Sequence, residues 1–554
     1  MDTEQEWGKV CMCGGTDWAN IGRGKTKNGG SDNDEWPNLA SPHLLRDLVD
    51  IRVKKIVTGC CSCHSVMLDT KGRVYVMGRN DKGQLGMDDL EVRPYPVSLK
   101  TCAKSSAAIG KQKIIKAATG RNHTLLVSST GLVFGTGDNR FGQLGLDNLR
   151  IYTTFVPITT LKKEKIVDVA CGADFSLVLT DKGRIFAFGS SEHGQLGNGG
   201  STETPAAPYP QPSLVKGLQE HKITAIACGT SHSLAMSSEG FVFSWGFGGY
   251  GRLGHSEQKD LSVATSIPIF ASNEYRKATA IACGTTFSMA IDVQKNFHLW
   301  GKWKNTGDGS AGKPWMYPRQ MIQLNGWAFK GMSGGNVSMF LIPDSDSEVC
   351  TIAWGQAAQY GELGYGEDQP RSCTVPTKVA PLDDVRVLDV SCGYGHTLFL
   401  VKPDDPKLPD FPKYPELPDV SEFCIKCSRD DNGDKLLVCD KCDAMQHTFC
   451  AAPPLDTIPE GDWFCDKCHP PGQQESSDEE ERPGEKKKKK GKKTGGEENG
   501  TEGEAEKKKR ARKSISQKEE GEEEGAGDGE EEDEEKSAKK RGRTSKRSRS
   551  AAAS

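Results

Sequence analysis

Ala227-Cys228-Gly229, then His232-Ser233-Leu234, Gly240, residues 243–246 and finally Gly251-Arg252-Leu253-Gly254 mark a unit that recurs along most of this 554-residue chain. Each copy reads as a short apolar strand ending on small residues and glycine, a polar corner, a second strand, a glycine turn, a third strand and a glycine-rich loop. The leading glycine returns at Gly59, Gly120, Gly172, Gly229, Gly284, Gly334 and Gly393, in steps of roughly 50–61 residues. The loop returns as Gly83-Gln84-Leu85-Gly86, Gly142-Gln143-Leu144-Gly145, Gly194-Gln195-Leu196-Gly197 and Gly361-Glu362-Leu363-Gly364. A solenoid and a propeller both show such a period. The units are all strand, with no helical periodicity, so a closed ring of sheets, which protects strand edges, is the expected fold. Small residues ahead of the glycine suit the crowded strand nearest the axis, and the glycines are expected to supply positive φ at tight turns.

The pattern resembles the regulator of chromosome condensation family, whose fold is a seven-bladed β-propeller, over about residues 8–402. Residues 245–255, Trp-Gly-Phe-Gly-Gly-Tyr-Gly-Arg-Leu-Gly-His, are most similar to the telophase-disc branch of that family. Residues 13–18 resemble that branch's N-terminal segment, and the resemblance implies that they close the ring against the last blade. Two departures stand out. The fifth unit loses its loop after Trp300-Gly301, and the sixth has Asn336-Val337 where others carry a histidine.

Beyond the ring come Cys424, Cys427, Cys439, Cys442, His447, Cys450, Cys465 and Cys468, four pairs each with a two-residue gap. That gap lets both side chains of a pair reach one ion, so four pairs fill two tetrahedral zinc sites. The lone histidine leading the third pair resembles a plant homeodomain (PHD) finger. The resemblance implies interleaved sites: Cys424, Cys427, His447 and Cys450 on one Zn2+, and Cys439, Cys442, Cys465 and Cys468 on the other. Trp463 also matches the family. His469 is the only spare ligand nearby, and its adjacency to Cys468 makes it a poor substitute. Disulfides are the competing reading, disfavoured in a large chain with no signal peptide at its start. Cys60, Cys61 and Cys63 with His64, and Cys11 with Cys13, find no second pair at finger spacing and read as packing residues.

Fingers of this family commonly add a histone H3 tail as an extra strand, and Leu436, Leu437 and Val438 match the pairing strand. Methyl-lysine readers carry an aromatic two residues before the zinc histidine, where this chain has Met445. Asp440 and Asp443 match positions that pair with the arginine of an unmodified tail, and Pro459, Glu460 and Gly461 match the turn that takes its free amine. A solvated acidic face is the plainer reading of the aspartates.

Four segments follow: 1–402 the propeller, 403–420 a proline-rich linker, 421–471 the finger, and 472–554 a charged tail. Prolines at 403, 406, 409, 412, 415 and 418 keep the period of a polyproline II helix. Leu408, Phe411, Tyr414 and Leu417 repeat at the same interval, which favours docking on a surface over a free spacer. The tail has basic clusters at 486–490, 507–510 and 539–549 and an acidic run at 519–535, a composition expected to stay disordered. The clusters read as nuclear import signals and DNA or other acidic-partner contacts.

The net charge is −4, and no apolar run is long enough to span a bilayer. Gly246-x-Gly248-x-x-Gly251 satisfies a dinucleotide fingerprint, but no helix follows it. His64, His123, His232 and His396 share one repeat position, so they fall in different blades and are expected to be structural rather than catalytic. No nucleophile elbow, paired-carboxylate motif or phosphate loop is present. The expected function is a non-enzymatic nuclear chromatin adaptor that reads the H3 tail, with the propeller as a protein-binding platform. The family resemblance implies an alternative, a guanine-nucleotide exchange factor or regulator for a small GTPase.

Overall fold

In the computed structural model, the described residues are 6–23, 36–200, 207–303, 314–418, 422–431, 433–459 and 461–470. The charged tail and its basic clusters lie outside them, as does Glu460.

Seven sheets, antiparallel except for one short outer strand on the last, form the propeller. Residues 53–98 make blade 1, 114–157 blade 2, 166–214 blade 3, 223–266 blade 4, 278–320 blade 5 and 329–378 blade 6, each a four-stranded meander. Blade 7 joins the two ends of the ring. Its inner strands, Val387–Cys392 and His396–Val401, are completed by the N-terminal strands Lys9–Gly14 and Leu39–Leu45. Lys9 stands opposite Val401 and Gly14 opposite His396, so the residues 13–18 segment closes the ring as the resemblance implied.

The second strand of each blade is buried along its whole length or nearly so, as in His123–Ser128 and His396–Val401. Strands covered on both faces read as apolar runs rather than alternations. The repeat histidines join neighbouring blades. His232 Nε2 lies 2.9 Å from Ser288 Oγ, whose own proton goes to the Arg252 carbonyl at 2.8 Å, so the imidazole donates. His123 meets Ser176 at 2.9 Å, His64 meets Thr124 at 2.8 Å and His396 meets Ser65 at 2.7 Å. Phe175 and Phe287 occupy the same place in blades 3 and 5 and fill it by packing alone. All four rings are fully buried, and burial holds each imidazole neutral, His64 and His396 at about 3 and His123 at about 4.

The leading glycines have a different cause from the one expected. None has positive φ. A Cβ on Gly229 would sit 2.1 Å from His232 Cε1, and one on Gly172 would enter the Phe175 ring, so at these positions glycine leaves room for the ring that follows, whereas a Cβ on Gly59 would meet the Thr119 carbonyl at 2.2 Å. Positive φ belongs to the loops, as at Gly251 (φ 71) and Gly254 (φ 81). The sixth unit also shifts by one residue. Gly335 N donates to Ser338 O at 2.8 Å, as Gly229 N does to His232 O. Gly335 therefore holds the place assigned to Gly334, and Ser338, not Asn336-Val337, stands where other blades carry histidine.

The proline-rich stretch is not a polyproline II rod. It forms the 3-10 turn Leu408–Asp410 and the short strand Lys413–Tyr414, which pairs in parallel with Leu39–Leu45 as a fifth strand of blade 7. Leu408 and Phe411 enter the blade 6–7 core and Tyr414 the blade 7–1 core, whereas Leu417, expected on the same edge, is exposed because the strand has already ended at Tyr414.

Candidate zinc centre and peptide-binding finger

Two groups of donor atoms form in the finger, with the atoms of each group lying within 4.8 Å of one another. One is Cys424, Cys427, His447 and Cys450, and the other is Cys439, Cys442, Cys465 and Cys468. This is the interleaved arrangement that the family resemblance implied. Cys442 Sγ and Cys465 Sγ are 3.6 Å apart, close to the ~3.8 Å edge of a tetrahedron with Zn–S bonds of ~2.3 Å. His447 turns Nδ1 toward Cys427 Sγ at 3.4 Å and donates from Nε2 to the Asp431 carbonyl, which fixes the tautomer a ligand needs. Burial opposes ionisation of Cys424, yet backbone N–H groups of Cys427, His447 and Lys426 outweigh it and bring the thiol down to about 6. The residues fit two Zn2+ ions. With four protein ligands on each, the ions leave no open position, so their part is to hold the fold.

Leu436–Val438 pairs antiparallel with Met445–His447, and Ile425 N bonds to Met445 O on the far side. Leu436–Val438 is thus the edge strand, and its outer side has no backbone partner among the described residues. Val438 is half exposed at 50% and Leu437 is buried.

The two aspartates behave differently from a bare acidic face. Asp440 clips the Trp463 segment: its N donates to Trp463 O at 2.9 Å and its Oδ2 accepts from Trp463 N at 2.7 Å. Asp443 pairs with Arg46 at 2.6 Å and with Lys413 at 3.0 Å. Gly461 has φ 88 and open space around it.

Arg46 and Lys413 belong to blade 7 and its extra strand, and further pairs join finger to propeller. Lys441 meets both oxygens of Asp50 at 3.0 Å, His469 meets Asp50 Oδ2 at 3.0 Å, and Lys9 meets Asp462. Burial of Asp50 is outweighed by His469 and Lys441, which hold its carboxyl below the usual range. Phe464 stacks on His469 and packs against the blade 6–7 core. The spare histidine is therefore a docking residue. The contacts of Lys9, Arg46 and Asp50 with the finger were not legible in sequence, because the partners lie some 390–450 residues apart and follow no motif.

Gly246–Gly251 carries no nucleotide-binding helix; a 3-10 turn, Gly249–Gly251, ends it. The cysteines at 11, 13, 60, 61 and 63 are buried and fall in neither donor group.

Comparison with known proteins agrees with this architecture. The RCC1-like domain profile matches residues 9–399 and the PHD-finger profile residues 424–468. The zebrafish Protein RCC2 homolog is 34% identical over 417 residues, covering 72% of this chain and 81% of its own length. Human Protein RCC2 is 34% identical over 420 residues, covering 72% and 77%. The fold matches Prp20p from Saccharomyces cerevisiae, studied with its binding to Gsp1p and histones, at TM-score 0.58 and 20% identity over 73% of this chain and 93% of that one. The chain belongs to the RCC1-like family, as a seven-bladed propeller joined to a PHD finger.

Proposed function

We propose that this protein is a non-enzymatic nuclear chromatin adaptor whose finger takes the N-terminal tail of histone H3 as a strand on the open edge of Leu436–Val438. The observation that carries the reading is that edge. Unpaired backbone donors and acceptors beside a half-exposed valine are what strand addition requires. An extended tail would bond to Leu436 and Val438 and bring its amine toward Pro459, Glu460 and Gly461. Met445 supplies no aromatic face for a trimethylated lysine, which favours the unmodified tail. Asp443 serves the tail's arginine only in competition with Arg46 and Lys413, so docking on the propeller restrains the finger.

The test is calorimetry of the full chain with an unmodified H3 tail peptide, compared with a peptide N-methylated along one strand edge. Loss of binding on backbone methylation supports strand addition; equal affinity for the two peptides excludes it. The second reading, regulation of a small GTPase by the propeller, draws support from the family. Its test is the rate at which candidate GTPases release a fluorescent nucleotide with and without the protein.

A further inference from the structure

Two links between blades carry an α-helix: a short one, Pro268–Ala271, between blades 4 and 5, and a longer one between blades 1 and 2. Blades 2 and 3, 5 and 6, and 6 and 7 are joined through single 3-10 turns, Thr159–Leu161, Ile322–Leu324 and Ala380–Leu382. Between blades 1 and 2 a 3-10 turn, Leu99–Thr101, is followed by an α-helix, Ala103–Ile109. Alanines at 103, 107 and 108 favour the helix, and Gly110, with φ 63, ends it. The buried hydroxyl of Ser105 anchors it, donating to Gly86 O at 2.5 Å and accepting from Phe155 N at 3.0 Å.

Beneath this helix lies a cavity of about 190 Å³. Its rim holds five cationic side chains, Lys71, Arg73, Lys100, Lys111 and Lys113, and no carboxylate lines it. Apolar side chains at Leu99, Ile109 and Ile114 form its floor. The acids close by are already engaged: Asp69 is buried against Arg73, and Asp88 pairs with Lys104 at 2.7 Å. Lys100, Lys111 and Lys113 have no ion-pair partner among the described residues. Burial, with Lys113 and Lys55 beside it, pulls Lys54 below the ordinary lysine value.

We propose that this cavity binds a phosphorylated side chain of a partner protein, with the phosphate among Lys100, Lys111 and Lys113 and a neighbouring apolar residue on the floor. A phosphate at neutral pH carries close to two charges and three acceptor oxygens, which several ammonium groups satisfy together. The shape favours a peptide over nucleic acid. A duplex presents a continuous array of phosphates and is met by a broad basic stripe, without need of an apolar floor. A cavity this small suits one side chain and its neighbour. The site stands independently of the histone reading, since it lies on blades 1 and 2 and uses no residue of the finger.

The experiment uses the full chain and two fluorescein-labelled peptide libraries with random flanks, one centred on phosphoserine and one on serine. Their affinity ratio, read by anisotropy, cancels non-specific attraction to other basic segments. The ratio is expected to be at least ~10-fold for the native protein and to fall below ~2-fold in the Lys100→Gln/Lys111→Gln/Lys113→Gln variant. Thermal unfolding should be unchanged, because these three lysines make no ion pair whose loss would be felt. A ratio near one for the native protein, or an unchanged ratio in the variant, overturns the proposal. So does a 20-base-pair duplex that displaces the phosphopeptide and loses the same affinity in the variant, which would assign the cavity to nucleic acid.

Discussion

Arg46 of the propeller and Asp443 of the finger meet at 2.6 Å, and the guanidinium is almost wholly buried, bonding also to the carbonyls of Pro415 and Lys441. Asp443 is the residue whose family position pairs with a peptide arginine. Arg46 thus supplies from within the chain the group that a bound tail would bring. On the proposed reading, the docked finger and an H3 tail would draw on one carboxylate, so each would weaken the other.

Arg46→Ala is accordingly expected to strengthen H3 tail binding by the full chain by about 3- to 10-fold, the scale of one partly exposed ion pair. Lys413 remains on Asp443, so the gain is limited. Calorimetry checks it; unchanged or weaker binding would show that the tail does not use Asp443.

Zinc content should be two ions per chain. Cys439→Ser removes a ligand from the four-cysteine site, and the finger should unfold while the propeller keeps its own cooperative transition. Elemental analysis and calorimetric scanning test this. Asp440→Ala is expected to loosen the finger as well, because Asp440 holds Trp463 two residues ahead of the ligand Cys465.

Trimethylation of the lysine at the fourth position of the H3 tail should weaken binding by ~1–3 kcal/mol, the cost of leaving charged acceptors without their N–H donors. Acetylating the tail's amine should cost a comparable amount. Tighter binding of the trimethylated peptide would mean that an aromatic such as Phe423 or Trp463 completes a cage despite Met445.

Acid should destabilise the propeller through its histidine staples. Unfolded histidine takes its proton near 6.5, whereas His64 and His396 hold off protonation to about 3 and His123 to about 4. The unfolded chain binds more protons in that window, so stability is full above pH 6.5 and falls as the pH drops toward 4, by up to ~1.4 kcal/mol per pH unit for each group. His123→Phe should fold, since Phe175 and Phe287 fill the same place in other blades, and its melting temperature should fall less steeply with acid. An identical slope in the variant would remove His123 from this account.

Limited proteolysis should remove the charged tail and spare residues 403–418, whose backbone pairs with Leu44 and Leu45. Rapid cleavage within that stretch would contradict the fifth-strand arrangement.

Ring, blade number and zinc ligands were legible because each rests on local spacing. In blades 2, 3, 4, 5 and 7 a glycine stands three residues before a buried ring, and two ligands two residues apart can share an ion. The period of three in residues 403–418 picked out three side chains that pack on the ring but failed at Leu417, which is exposed, and it misread the backbone, since a turn followed by a short strand presents Leu408, Phe411 and Tyr414 to the blade as well as a polyproline helix would. The one-residue shift at Gly335 was hidden by the double glycine, and only hydrogen-bond register separates the two. The docking of the finger was decided by tertiary structure alone. Ring closure brings Lys9, Arg46 and Asp50 to the face where the chain returns at Lys413, and that approach sets Asp443, Lys441, Asp462 and His469 against their partners. Ion pairs between segments some 400 residues apart leave no periodicity in the sequence, because their geometry depends on how the whole ring closes rather than on any local repeat.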